Sequence, residues 1–144
     1  MTRLDQMLAW RSLDADGVAA MLGVDVGTRR PVKGYGALRN VDVLEDKGRG
    51  IRFYLDGDHV ALIYIGSAGL PAGTDEGVLA GAAGTDGELL RSRQGKTATL
   101  HVAARAGMAW SESDGALGWL ELFDSTTLED YRRRIYREPP LFVQ

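Results

Sequence analysis

The stretch Gly50–Ile65, GIRFYLDGDHVALIYI, decides the fold. Apolar, β-branched and aromatic residues run up to Gly57-Asp58 and away again, the pattern of two strands around a two-residue turn whose residues accept positive φ angles. Its outline returns at Gly107–Phe123, GMAWSESDGALGWLELF, with Asp114-Gly115 at the turn. Upstream, Asp16–Gly23 (DGVAAMLG) has a counterpart in Glu76–Ala83 (EGVLAGAA). Glu76 follows Asp16 by sixty positions and Gly107 follows Gly50 by fifty-seven, so a three-residue gap falls between the two matches.

Working outward, the sequence predicts an α+β fold of two tandem units, about 16–66 and 76–124, each a short helix, a glycine-rich loop and a three-strand meander. The strands are expected at Val41–Asp46, Ile51–Asp56 and His59–Ile65, then at Thr97–Ala104, Met108–Ser113 and Ala116–Phe123, forming a mainly antiparallel sheet. Asp16 reads as the N-cap of the first unit's helix. Helices are also expected near both ends, at Asp5–Ser12 and Thr126–Tyr136. In the latter, Thr126 and Glu129 read as a capping box, Leu128, Tyr131 and Ile135 recur at helical spacing, and arginines crowd the last turns. Pro139-Pro140 ends it, and the apolar Leu141-Phe142-Val143 is expected to pack on the body.

A chain of 144 residues, 44% hydrophobic, suits one domain spanning 1–144 that buries roughly two-thirds of its unfolded surface. Seventeen basic residues against twenty acidic ones create no global positive field for nucleic acid or an anionic membrane. With no cysteine, thiolate catalysis, disulfides and cysteine-ligated zinc are excluded. No stretch approaches the about eighteen apolar residues of a membrane span, and the opening segment lacks a signal peptide's apolar run. The expected location is the cytoplasm.

Strand alternation sorts the hairpins by face. With Arg105-Ala106 as a loop, His101 is expected opposite Trp110 and Thr99 opposite Glu112; with Asp114-Gly115 as the next, Trp110 is expected opposite Trp119. These side chains then share one face with Thr97, Met108, Leu117, Glu121 and Phe123, a polar and aromatic mixture that suits a ligand or partner. Ala98, Leu100, Val102, Ala109, Leu120 and Leu122 form the helix-covered face. In the first unit, Leu44, Ile51, Phe53, Leu55, Val60, Leu62 and Tyr64 share one apolar face and Val41, Val43, Ala61, Ile63 and Ile65 the other, so both need a cover. The C-terminal helix and the Leu141-Phe142-Val143 tail are the available lids. Glu45 is expected opposite Arg52 and Asp56 opposite His59, as surface ion pairs.

The segment Val18-Ala-Ala-Met-Leu22-Gly23, followed by the hairpin from Ile51 and by a weaker copy from Val78, resembles the β-lactamase-inhibitor-like proteins and related small outer-membrane assembly lipoproteins. The resemblance spans about 16–123. It implies a saddle of joined sheets whose concave aromatic face grips a partner protein. The chain departs from that pattern in lacking a proline soon after the Leu-Gly pair, any cysteine and an export signal, so the implied role is that of a small bacterial immunity or inhibitor protein.

Nucleotide and calcium motifs fail on their spacing. Gly95-Lys96-Thr97 has Leu90 where a phosphate loop needs glycine, Gly34-Tyr35-Gly36 has Asn40 rather than a dinucleotide glycine, and Asp14-Ala15-Asp16-Gly17 lacks the acidic twelfth ligand. Gly66-Ser67-Ala68-Gly69 has Ile65 in place of a nucleophile elbow's first glycine. Arg29, Arg30 and Lys33 in one loop, with Arg91, Arg93 and Lys96 in its counterpart, are candidate anion ligands.

The leading expectation is a non-catalytic protein-binding module using Phe53, Tyr64, Thr99, His101, Trp110, Glu112, Trp119 and Glu121, without metal or cofactor. The alternative is a small-molecule pocket or small enzyme in which His101 and Glu112 or Glu121 exchange protons under the C-terminal helix; two glutamates and a histidine are also a metal-ligand set. An edge-strand homodimer is a third expectation.

Overall fold

In the computed structural model, which describes residues 3–140, the chain is α+β, with one eight-stranded antiparallel sheet and four helices. In chain order these are α1 (Leu4–Ala9), α2 (Ala15–Leu22), β1 (Arg30–Val32), β2 (Val41–Asp46), β3 (Ile51–Asp56), β4 (His59–Gly66), α3 (Glu76–Ala83), β5 (Glu88–Arg91), β6 (Thr99–Ala103), β7 (Met108–Ser113), β8 (Ala116–Leu122) and α4 (Leu128–Arg134). The strand order is β1-β2-β3-β4-β8-β7-β6-β5. The six expected strands are present, joined by the short strands β1 and β5 at the two edges. The expected packing of Leu141-Phe142-Val143 lies outside the described residues.

Local chemistry sets the boundaries. Asp114 and Gly115 both take positive φ (53° and 81°), whereas only the first residue of the β3–β4 turn, Gly57, does so (61°), which is the II′ pattern. Helices α2 and α3 each begin at an aspartate that accepts a backbone N–H three residues on (Asp14 from Gly17, 2.8 Å; Asp75 from Val78, 2.9 Å) and end at a left-handed glycine, Gly23 or Gly84. The α2 cap is thus Asp14 rather than Asp16, and the helices align at sixty-one positions rather than sixty. Leu79, fully buried, therefore occupies the place of Val18, while Val78 is exposed. The α4 cap moves the other way, one residue later than expected: Thr127 accepts from the Asp130 N–H at 3.1 Å.

Two β-bulges decide which side chains share a face. In β3–β4, Tyr54 pairs with Leu62 but Leu55 pairs with Val60, leaving Ala61 extra. In β7–β8, Ser111 pairs with Trp119 but Glu112 pairs with Leu117, leaving Gly118 extra. One extra residue inverts the alternation beyond it. Trp110 consequently lies opposite Leu120, not Trp119. Leu62, Tyr64 and Phe123 pack in one core layer, while Ile63, Ile65, Leu120 and Leu122 join the other. The expected grouping of Phe53 with Leu62 and Tyr64, and of Trp110 with Trp119, Glu121 and Phe123, is corrected on this ground.

Both faces of the sheet are covered. Met7, Val18, Leu22 and Leu79 from α1–α3, with Trp10 just after α1, pack on Leu44, Ile51, Phe53, Leu55, Met108 and Trp110. On the reverse, Tyr131 and Ile135 at α4 pack with Val41, Val43, Leu62, Leu100, Val102 and Phe123. The α4 lid thus lies over the face away from Trp110. Glu45 is opposite Arg52 and Asp56 opposite His59, as expected. The ion pairs run elsewhere, however, from Arg30 to Glu45 (2.5 Å) and from His59 to Asp124 (3.0 Å).

Candidate functional site

His101, at the centre of β6, pairs in register with Trp110 on β7, and Thr99 pairs with Glu112. The rings of His101 and Trp110 stack 5.5 Å apart at 6°. This face lies under α3, whose first turn carries Glu76. His101 Nε2 lies 2.9 Å from Glu76 Oε1 and 3.6 Å from Glu112 Oε1. The other Glu112 oxygen, Oε2, accepts the Gly115 N–H at 3.1 Å. On the far side of the ring, Nδ1 is 3.0 Å from the Asp86 carbonyl oxygen; that oxygen only accepts, so Nδ1 carries the donated hydrogen. Gly87 makes the approach possible. It has φ +77°, and an added Cβ would meet Val102 backbone atoms at 2.8 Å, which brings the Asp86 peptide down onto β6.

His101 is 8% exposed and Trp110 fully buried, and neither His101 Nε2 nor the Trp110 indole N–H has a hydrogen-bond partner among the described residues. Glu76 Oε1 is within reach of Nε2 but off the line along which the ring nitrogen bonds, and Glu112 Oε1 stands beyond hydrogen-bond distance. The cluster is therefore a histidine nitrogen and two carboxylate oxygens converging under a helix, held by an aromatic stack and a backbone carbonyl.

Glu121 belongs to a different cluster on the α4 face. It is 1% exposed and accepts hydrogen bonds from the Tyr35 and Tyr131 hydroxyls. Arg93 Nη2 donates to the Tyr35 hydroxyl at 2.7 Å, and its guanidinium lies 4.6 Å over the Tyr35 ring and 4.4 Å over Trp119. Burial pushes the Glu121 carboxyl above its ordinary range, while the hydrogen bonds from Tyr131 and Tyr35 act in the opposite sense. Burial, with the Glu121 charge next in size, holds both tyrosines well above theirs. The node ties β8, α4 and the loops around residues 35 and 93 together.

The expected site residues are thus divided. His101 and Glu112 come together, while Thr99, paired in register with Glu112, is half-buried. Glu121 does not join them, and the helix above His101 is α3 rather than α4. Phe53 and Trp110 are fully buried and Trp119 is 7% exposed; none offers an open aromatic face. Tyr64 is half-buried, with the Arg52 guanidinium 4.4 Å over its ring.

In the basic loops, three of the arginines expected as anion ligands hold carboxylates of the chain itself. Arg29 pairs with Asp42 (2.7 Å), Arg30 with Glu45, and Arg91 with Glu138 (3.1 Å) and the Pro139 carbonyl (2.6 Å). Lys33 and Lys96 are exposed. Sequence reasoning missed Glu76, Tyr35 and Tyr131, whose roles arise only when helices and loops dock on the sheet.

No family model matches the chain, nor does any curated protein sequence or solved structure. Among the described residues no helix is long and apolar enough to cross a membrane.

Proposed function

We propose that the chain is a non-catalytic protein-binding module of inhibitor or immunity type, built from a duplicated helix-plus-sheet unit, that engages its partner along an open sheet edge. The observation carrying this reading is the β5 edge. Leu89 on β5 is 64% exposed and Val78 on α3 44% exposed, and among the described residues the only strand that β5 pairs with is β6, while its Arg91 carbonyl accepts from the Tyr136 hydroxyl. An unpaired edge offers backbone N–H and C=O groups to a partner strand, with side chains supplying selectivity. The opposite edge is less suited, because β1 is three residues long with Pro31 at its middle, and proline cannot donate to an added strand. Support for duplication comes from spacing: Gly50 and Gly107, β3 and β7, and the two bulges are all fifty-seven positions apart.

The test compares wild type with Leu89→Lys as baits in affinity capture from cells, with light scattering on both. An edge-binding module retains a partner that the variant loses. A partner set unchanged by the substitution refutes the edge. A dimer that Leu89→Lys dissolves assigns the edge to a second copy of the chain.

A second reading, a ligand or acid–base site on the α3 face, is favoured by the proximity of His101 and Glu112. In it Glu76 takes the place expected of Glu121.

A further inference from the structure

We infer that Glu76, His101 and Glu112 form a binding site for one divalent transition-metal ion, zinc being its best-fitting occupant. The three ligand atoms lie within 4.8 Å of one another, and they come from α3, β6 and β7. The argument rests on the hydrogen bookkeeping of the imidazole. Because Nδ1 gives its hydrogen to the Asp86 carbonyl, the neutral ring presents a lone pair at Nε2. Beside that nitrogen stand the Glu76 and Glu112 carboxylates, which are themselves acceptors only. Three acceptors facing one another with no donor between them repel, and two groups can fill the space: a proton on Nε2 or a cation.

Geometry favours the cation. A protonated Nε2 would gain its stabilisation from a hydrogen bond along the N–H direction, but this nitrogen is buried and has no partner at a bonding angle, although Glu76 Oε1 is 2.9 Å away. A cation sits further out along the same lone pair than a hydrogen does, at about 2.0–2.2 Å from each ligand atom, so it reaches an oxygen that lies off the N–H line. With metal–ligand distances of about 2.0–2.2 Å, tetrahedral ligands stand about 3.4 Å apart, and the observed 2.9 and 3.6 Å bracket that value.

The surroundings have the second layer such sites need. A backbone carbonyl fixes the histidine tautomer, as in established histidine–metal sites, the Gly115 N–H holds the non-ligating oxygen of Glu112, and Trp110 stacks on the ring. One imidazole and two carboxylates select a borderline divalent ion such as zinc over soft cations, which favour sulfur. Because the ligands come from a helix and two strands, the ion would pin α3 to the sheet. This site is independent of any partner at the β5 edge.

The experiment is zinc titration of chelator-stripped protein by calorimetry, with cobalt(II) visible absorption as a geometry probe, on wild type, Glu76→Gln, Glu112→Gln and His59→Asn. The expected result is one zinc per chain for wild type and His59→Asn. Losing even an outer-layer partner costs 10–100-fold in affinity, so each glutamine variant should weaken binding at least about tenfold. Zinc should raise the melting temperature of wild type but not of the glutamine variants. Long-range ¹H–¹⁵N spectra of the wild-type histidines need no variant: zinc should shift His101 Nε2 and leave Nδ1 protonated. Absence of saturable zinc uptake, uptake lost only in His59→Asn, or His101 resonances indifferent to zinc would each overturn the assignment.

Discussion

Glu121 shows how much one side chain's setting matters. The sequence placed it beside a histidine on a wet face; the fold places it between two tyrosines under α4. Because burial raises its folded pKa above the ordinary 4.5, the folded state holds a proton more tightly than the unfolded state between those two values. The stability associated with it is therefore full below about pH 4.5 and declines as pH rises through the raised folded value. Glu121→Gln removes this titration, so its stability relative to wild type should improve as pH climbs from about 4.5 and level off above the raised folded value. Denaturant unfolding of the two proteins at intervals from pH 4 to 8 measures that gap, and a constant gap contradicts the account. His101 and Glu112, by contrast, were read together correctly, because Thr99–Ala103 pairs with Met108–Glu112 without a bulge. Glu76 was invisible, since nothing in its spacing from His101 announces that α3 will dock there.

At the scale of elements, the central strands were legible in detail. Val41–Asp46, Ile51–Asp56 and Met108–Ser113 begin and end where alternation and turn residues place them. The edge strands were not, because Arg30–Val32 and Glu88–Arg91 are short and largely exposed and carry almost no hydrophobic alternation. The bulges were missed for another reason: an extra residue leaves the composition of a strand unchanged while inverting its faces. Gly118 is the clearest case, since a Cβ there would approach the Gln94 side chain to 2.5 Å. Deleting Gly118 removes the extra residue but leaves Leu117 opposite Glu112 and Trp119 opposite Ser111, so Trp119 and Glu121 keep their faces. The expected outcome is a variant that retains a cooperative thermal transition in circular dichroism. Loss of that transition would show that the bulge itself, and not only the pairing on either side of it, is needed by the sheet.

For the whole molecule, the governing fact is that one sheet is sheathed on both sides, by α1–α3 on one face and by α4 on the other. Tyr131 and Ile135 are the buried anchors of the second cover. At about 2 kcal/mol per buried large side chain, removing them forfeits roughly 4 kcal/mol from a total of about 5–15 kcal/mol for a typical domain. Truncation after Ser125 should therefore bare Val41, Leu62, Leu100 and Phe123, bind a hydrophobic dye such as ANS, and lower the melting temperature by many degrees. A truncated chain that binds no dye would mean that α4 is dispensable to the fold. The sequence by itself determined the α+β class, the antiparallel sheet and the six inner strands, because alternation and turn preferences act over a few neighbouring residues. Only the tertiary structure decided the face on which each aromatic and carboxylate lies, the burial of Trp110 and Trp119, and the meeting of Glu76 with His101. Those outcomes depend on single-residue bulges and on helices docking from distant parts of the chain, and local preferences do not encode either.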